Sequence, residues 1–281
     1  MDKKVLVTGA SSGIGKAISE LLVNSGCEVY GIGRSFESEN ITVDEELNAV
    51  ENVITSLHAN ENNTVLGSLY AIKNSLDSLN AAKSNKVEHK KTGTLHKIVY
   101  DLTDVTGLKS LVSRLRADRE FDILINNAGC AYYGTHDNIT PAQIHEMVTV
   151  NLEVPMILSS LMLKDMKKRG GMIINISSVT AHKVNTHGCA YGATKAGLSS
   201  FGDSLFEECR KCGIKVINIH PDMIDTALYR NADFKAASDN PEAALCAEDI
   251  AEAVKKVIEA PDGMVVTNLT IRPQKHMLER K

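Results

Sequence analysis

The chain has 281 residues, 43% of them hydrophobic and 23% charged, the balance of a globular protein able to bury a sizeable core. A formal net charge of −4 offers no global attraction to nucleic acid or to an anionic membrane surface, so neither is an expected partner. No run approaches the roughly 18 apolar residues of a membrane span, and the start, Met1-Asp2-Lys3-Lys4, lacks the apolar stretch of a secretory signal.

The expectation is therefore a cytoplasmic protein whose six cysteines are reduced thiols. Cys209-x-x-Cys212 has no second pair or paired histidines, which favours two helix-end thiols over a zinc or redox site, and no metal is expected.

In chain order, short apolar runs at 4–8, 28–33, 95–100, 123–125, 172–176, 216–219 and 264–271 predict strands. Helical periodicity near 14–25, 104–119, 141–168, 190–212 and 247–259 predicts the helices between them. Nearly continuous apolar strands alternating with helices predict a Rossmann-type, doubly wound parallel sheet of about seven strands with helices on both faces, in one domain spanning 1–281. An insertion at about 36–94 interrupts the rhythm between the second and third strands. Within it Leu47, Val50, Ile54 and Leu57, then Leu66, Leu69, Ile72, Leu76 and Leu79, recur at spacings of three or four. That pattern predicts a helical hairpin, with a mobile loop as the alternative.

Thr8-Gly9-Ala10-Ser11-Ser12-Gly13-Ile14-Gly15 follows the first strand and opens a helix. Glycines let an anion approach the backbone, and free N–H groups with the helix dipole favour its charge. This strand–loop–helix position points to a dinucleotide diphosphate rather than a mere turn. Asn127, Ser178 and Pro221 fall at or just beyond the C-terminal ends of other predicted strands, the edge where open α/β sheets bind ligands. Tyr191 and Lys195 are i and i+4 on one helical face. A fixed ammonium beside a phenol, whose ordinary pKa is about 10, would lower that pKa and make the tyrosine a tuned acid/base.

The form T-G-x-x-x-G-x-G resembles the short-chain dehydrogenase/reductase family in its compact, single-domain branch. Asp101-Leu102, Asn126-Asn127-Ala128-Gly129 and Pro221 follow in the family's order, although Asp222 stands where the family has glycine. The resemblance covers 3–34 and about 96–271. It implies a cofactor site made of Gly9, Ser11, Ser12, Gly13, Ile14, Gly15, Arg34, Asp101, Leu102, Asn127, Ala128, Gly129, Tyr191, Lys195, Pro221, Ile224 and Thr226. It also implies a catalytic tetrad of Asn151, Ser178, Tyr191 and Lys195. Ser178, 13 residues before Tyr191, would hold the substrate oxygen, with Ser177 the neighbouring candidate. Asn151 would kink its helix and hold a water linking Lys195 to solvent; without the resemblance, a solvent-facing asparagine is the simpler reading.

The expected reaction interconverts a carbonyl and a secondary alcohol by hydride transfer with NAD(P). Hydroxysteroids, 3-oxoacyl thioesters and small ketones are substrate classes of related enzymes, and the loop 223–244 and tail 273–281 are expected to shape the pocket. NADP(H) is the expected cofactor in preference to NAD(H): Gly33 ends the second strand where an NAD-selective site commonly has a carboxylate, and Arg34 follows with a fork suited to phosphate. A non-catalytic dinucleotide sensor is the alternative. The apolar segment 144–163 predicts a homodimer or homotetramer, because one sheet contact cannot cover all its faces.

Overall fold

The computed structural model describes residues 1–36, 92–117, 119–224, 226–236 and 242–280. The expected helical hairpin lies outside them. Seven strands form one parallel sheet: β1 (Lys4–Thr8), β2 (Glu28–Gly33), β3 (Thr94–Val99), β4 (Ile123–Asn126), β5 (Gly171–Ile176), β6 (Ile214–Pro221) and, after the short strand named below, β8 (Asn268–Ile271). Their order is β3-β2-β1-β4-β5-β6-β8, so the winding reverses between β1 and β4. At such a reversal the loops leave in opposite directions and open a crevice at the strands' C-terminal ends.

Residue alternation explains why both faces are covered. Val5, Val7, Ile123, Ile125, Ile174 and Ile217 pack against helix α1 (Gly13–Asn24) and helix α6 (Ala247–Ile258), through Ile18, Leu22, Ile250 and Val254. Their neighbours Leu6, Leu124, Ile173 and Val216 face the other way. There they meet α2 (Val105–Leu115), α4 (Val154–Arg169) and α5 (Cys189–Cys209), through Leu108, Leu158, Met162 and Leu205. Strands buried on both sides need apolar residues at successive positions, which is the pattern read in the sequence.

One line of amides crosses this apolar centre. Asn126, Asn175 and Asn218 occupy matching positions on β4, β5 and β6. Asn126 Nδ2 donates to Asn175 Oδ1 at 2.9 Å, and Asn175 Nδ2 to Asn218 Oδ1 at 3.0 Å. Asn218 Nδ2 ends the line on the Ser199 carbonyl (3.1 Å) and Asp203 Oδ1 (2.9 Å). A shift of register in any of these strands would strand buried amides, so the ladder specifies the pairing.

The helix expected over 141–168 is three pieces. Thr140 caps α3 (Pro141–Val148) in a reciprocal box with Gln143, with Pro141 in the first turn. Thr149–Glu153 then winds as a π turn before α4 begins. The helical run 141–169 contains one 18-residue window long and apolar enough by composition to cross a membrane, a test that the core helix of a globular fold also passes. Here Val154, Leu158, Met162 and Met166 are buried in the core. At the C-terminal side the expected strand 264–271 is shortened: Asn268–Ile271 pairs with β6, the Thr267 carbonyl accepts from Asn218 N at 2.8 Å, and Met264 is exposed. A second, antiparallel pair, β7 (Phe234–Ala236) with β9 (Leu278–Arg280), ties the segment after β6 to the C-terminal run.

Candidate active site

The crevice between β1 and β4 is held by a hydroxyl. Thr8 Oγ1 accepts the backbone N–H groups of Asn127 and Ala128, each at 3.0 Å, while Asn127 Nδ2 donates to the Thr8 carbonyl at 2.9 Å. The glycine loop then turns into α1. Ser12 is the N-cap but makes no side-chain cap, and the first turn carries no acidic residue. The opening N–H groups of α1 are thus available at the cleft, with the positive end of the helix dipole behind them. A Cβ on Gly15 would lie 2.1 Å from the Gly9 carbonyl oxygen, so only glycine lets the loop fold back on the helix.

At the end of β2, a Cβ on Gly33 would stand 2.7 Å from Ser11 Oγ, leaving no room for a carboxylate there. Arg34 is exposed beside it, and Asp101 lies near enough for the guanidinium to help hold its carboxyl below the usual range. Hydrogen bonds from the Thr103 backbone and hydroxyl to Asp101 Oδ1, both 2.9 Å, are the larger cause. An anion cradle of backbone amides, a strand end without a carboxylate and a cation at its rim fit the phosphates of a dinucleotide.

One cleft gathers most of the residues singled out in the sequence. From the glycine loop come Gly9, Ser11, Ser12, Gly13 and Ile14; from the β2, β3 and β4 ends come Arg34, Asp101, Leu102, Asn127, Ala128 and Gly129. Ser178, Tyr191, Lys195, Pro221, Ile224 and Thr226 line its other end, with Ser177 beside Ser178. Gly15 and Asn151 do not line it. Asn151 sits in the π turn, wholly buried rather than facing solvent. Its Nδ2 donates to the Cys130 carbonyl (2.9 Å) and Thr194 Oγ1 (3.1 Å), and its Oδ1 accepts from Cys130 N (2.9 Å). A Cβ on Gly129 would lie 3.3 Å from Asn151 Oδ1 and 3.6 Å from Lys195 Nζ, so the three converge, Gly129 and Lys195 at the cleft and Asn151 behind them.

Tyr191 and Ser178 stand at the inner end, both buried. Burial pushes the phenol's pKa up, and only the Ser178 hydroxyl hydrogen-bonded to it pulls the other way. Lys195 Nζ donates to the Ile176 carbonyl at 2.8 Å and lies 5.9 Å from the Tyr191 ring centre. Burial pushes this lysine down to about 8. The sequence suggested a phenol lowered by its lysine. In the structure burial raises the phenol and lowers the lysine, which favours the neutral form of both groups.

Sequence reasoning missed Tyr133. Its ring stands 6.0 Å from that of Tyr191, 5.9 Å from Tyr229 and 5.1 Å from Phe234, an aromatic cluster packed behind the two cleft tyrosines, Tyr191 and Tyr229. Glu146, bonded by the Tyr132 hydroxyl at 2.6 Å, and Arg230 also border the cleft. The available signal was position: Tyr132 and Tyr133 follow Gly129 at the C-terminal end of β4.

The short chain dehydrogenase family model matches residues 3–65 and 67–236. The chain belongs to that family and is an oxidoreductase. The match continues into the 36–94 segment, which the sequence reading had placed outside the resemblance. An uncharacterized oxidoreductase of Staphylococcus aureus strain USA300 is 30% identical over 283 residues, 97% of each chain. Serine 3-dehydrogenase of Rhizobium radiobacter is 28% identical over 280 residues, 97% of this chain and 94% of that one. Among solved structures, an alcohol dehydrogenase from the archaeon Thermococcus sibiricus, complexed with 5-hydroxy-NADP, shares the fold at a TM-score of 0.68, with 20% identity over 97% of both chains. A 4-hydroxyisoleucine dehydrogenase complexed with NADH has a TM-score of 0.68, with 20% identity over 97% of both chains.

The buried lysine makes stability depend on pH. Its folded pKa lies below the ordinary lysine value, so between about 8 and that value the unfolded chain binds more protons. The penalty for burying it is full below about pH 8 and fades as pH rises. Wild type should therefore gain stability relative to Lys195→Met between pH 7 and 10, on the order of 2 kcal/mol. Urea unfolding at a series of pH values measures this; parallel profiles for the two proteins would show that the lysine is not desolvated.

Proposed function

We propose that the protein is an NADP(H)-dependent oxidoreductase that interconverts a carbonyl and a secondary alcohol. The observation that carries this reading is one cleft with an anion-binding helix start at one end and the paired hydroxyls of Ser178 and Tyr191 at the other. Solved relatives of the same fold carry NADP-type or NADH ligands, which supports a nicotinamide dinucleotide as cofactor. Gly33, where a side chain would clash with Ser11, and the Arg34 cation favour a 2′-phosphate over a bare ribose.

The α1 amides and the residues at the β2, β3 and β4 ends would hold the dinucleotide, and Ile224 and Thr226 its nicotinamide end. When bound, the nicotinamide supplies or accepts the hydride. The chain's own groups handle the oxygen. Ser178 donates to the substrate oxygen and fixes its position. Tyr191 Oη gives its proton to that oxygen as alkoxide charge develops, and takes it back in the oxidative direction. A phenol that burial keeps protonated suits the first role, because a developing alkoxide is a stronger base than phenolate. Lys195 orients the cofactor ribose and restores the tyrosine proton, and Asn151 fixes the Cys130 backbone against the lysine. The aromatic surroundings of Tyr191 exclude water and favour an apolar portion in the substrate. Serine 3-dehydrogenase among the relatives adds small hydroxy acids to the classes worth assaying.

A panel of carbonyl compounds and alcohols, followed by cofactor absorbance, tests the activity. Tyr191→Phe should abolish nearly all turnover and leave NADPH affinity within a few-fold; near-wild-type kcat in that variant would remove the tyrosine from the chemistry. Loss of binding and turnover together would instead point to a structural role.

The cofactor preference has its own test. Arg34→Ala should lower kcat/KM for NADPH at least tenfold while leaving that for NADH within a few-fold. Equal efficiency of wild type with both cofactors would refute the preference.

The exposed Val148 and Met156 on the 141–169 run support the proposal of a homodimer or homotetramer joined along α3 and α4. Light scattering at micromolar concentration should give at least twice the monomer mass of 30.5 kDa; a monomer would overturn it.

A further inference from the structure

Three segments at the inner end of the cleft meet on one carboxylate. Asp222 is the first residue beyond β6, and only 5% of its side chain is exposed. Its Oδ2 accepts from Arg272 Nε at 2.8 Å and lies 3.8 Å from Lys183 Nζ. Its Oδ1 accepts the Met223 backbone N–H at 3.1 Å and lies 3.2 Å from His276 Nδ1. The Asp222 N–H donates to the Ile271 carbonyl at 2.9 Å.

These partners come from separate places. Lys183 follows the turn Val179–Ala181, whose N-cap is Ser178. Met223 leads directly to Ile224 and Thr226. Arg272 and His276 belong to the run after β8, which continues into β9. Asp222 itself borders the cleft, whereas Arg272, Lys183 and His276 do not. The carboxylate therefore ties the cleft wall to groups behind it.

Two further observations show that the arrangement is held rather than incidental. His276 has φ 45, the one positive φ at a non-glycine residue among those described. Side chains with a Cβ adopt that region reluctantly, and here the residue is fixed by its contact with Asp222 and by Met277 N donating to the Ala243 carbonyl at 3.1 Å. A second rung joins the same two strand-end segments: His182 Nε2 lies 3.1 Å from His220 Nε2, which also contacts Ser199 Oγ at 3.0 Å. Burial pushes His220 down to about 4.

A charge this buried persists only when paired, and its partners are correspondingly constrained. We propose that Asp222 is a positioning residue, clasping the Ser178 segment, the Met223–Ile224 segment and the C-terminal run into the arrangement that admits substrate. The proposal rests on the oxidoreductase reading above. Without the clasp the competent arrangement becomes one of several, so substrate binds with a lower apparent affinity while the bound complex still reacts.

The test compares Asp222→Asn, Arg272→Gln, the double variant and Arg272→Lys, with Arg272 half-exposed so that its variants fold even where the aspartate change does not. Hydrogen exchange of the ligand-free protein reads the segments 179–184, 223–224 and 272–277. NADPH with 2,3-butanedione as the probe carbonyl reads KM and kcat. Asp222→Asn and Arg272→Gln should each speed exchange at least tenfold in all three segments and raise KM about tenfold with kcat changed less than threefold. The double variant should be no worse than Asp222→Asn, and Arg272→Lys should recover most of the loss. Faster exchange confined to 272–277, additive effects, or a lowered melting temperature with unchanged KM would overturn the clasp. If wild type reduces no carbonyl compound, the oxidoreductase reading fails while exchange still decides the clasp.

Discussion

The Thr8 hydroxyl accepts two successive backbone N–H groups, from Asn127 and Ala128, at the place where the sheet reverses its winding. Loops leaving a parallel sheet in opposite directions have no reason of their own to stay close. Thr8 and Asn127 bridge them, with Asn127 Nδ2 returning to the Thr8 carbonyl at 2.9 Å. The glycine loop, the Gly129 backbone and, behind it, Asn151 and Lys195 are all placed relative to that bridge. Thr8 itself is 2% exposed, where a hydrogen bond loses little to competing water. The cleft is thus an outcome of strand order, made rigid by one threonine and one asparagine.

Rigidity at this end allows the site to be dry. Lys195 and Tyr191 are buried with few polar partners, the Ile176 carbonyl for the lysine and the Ser178 hydroxyl for the tyrosine, and each is driven toward its neutral form. Such an environment is costly for charge that stays and effective for charge that appears only during reaction. The π turn contributes here. An uninterrupted α-helix over 141–168 would carry its side chains in one continuous register, whereas the π turn at Thr149–Glu153 inserts an extra residue and brings Asn151 inward against Cys130 and Thr194. An amide in that position can satisfy both a carbonyl and an N–H of the wall, which a hydrophobic residue could not.

The fold and the cleft were largely legible because they rest on local signals. Continuous apolar runs mark doubly covered strands, and Thr8–Gly15 combines a strand end, glycines and a helix start within eight residues. The spacing of Ser178, Tyr191 and Lys195 brought three groups to one end of the cleft. What escaped depends on distance or on burial. Periodicity cannot distinguish a helix from one with a π turn, since the apolar residues continue through it. The run 264–267 has strand-like composition, yet the strand paired with β6 is Asn268–Ile271. Three-residue strands such as Phe234–Ala236 are too short to show alternation. The direction of the Tyr191 shift is a matter of desolvation, which neighbours in sequence do not report.

The two ends of the cleft are built on different principles, and this bears on how the family varies its substrates. The glycine-loop end is made of backbone amides and strand termini, whose positions follow from sheet register and tolerate little change. The inner end is made of long-range side-chain contacts: Asp222 with Arg272, 50 residues later, and Tyr133 with Tyr229 and Phe234. Each such contact joins segments that the sheet does not constrain, so each can be exchanged without disturbing the strands. In a scaffold divided in this way, the segments following β4 and β6, together with the C-terminal run, are where substitutions can reshape the inner end of the cleft without disturbing sheet register.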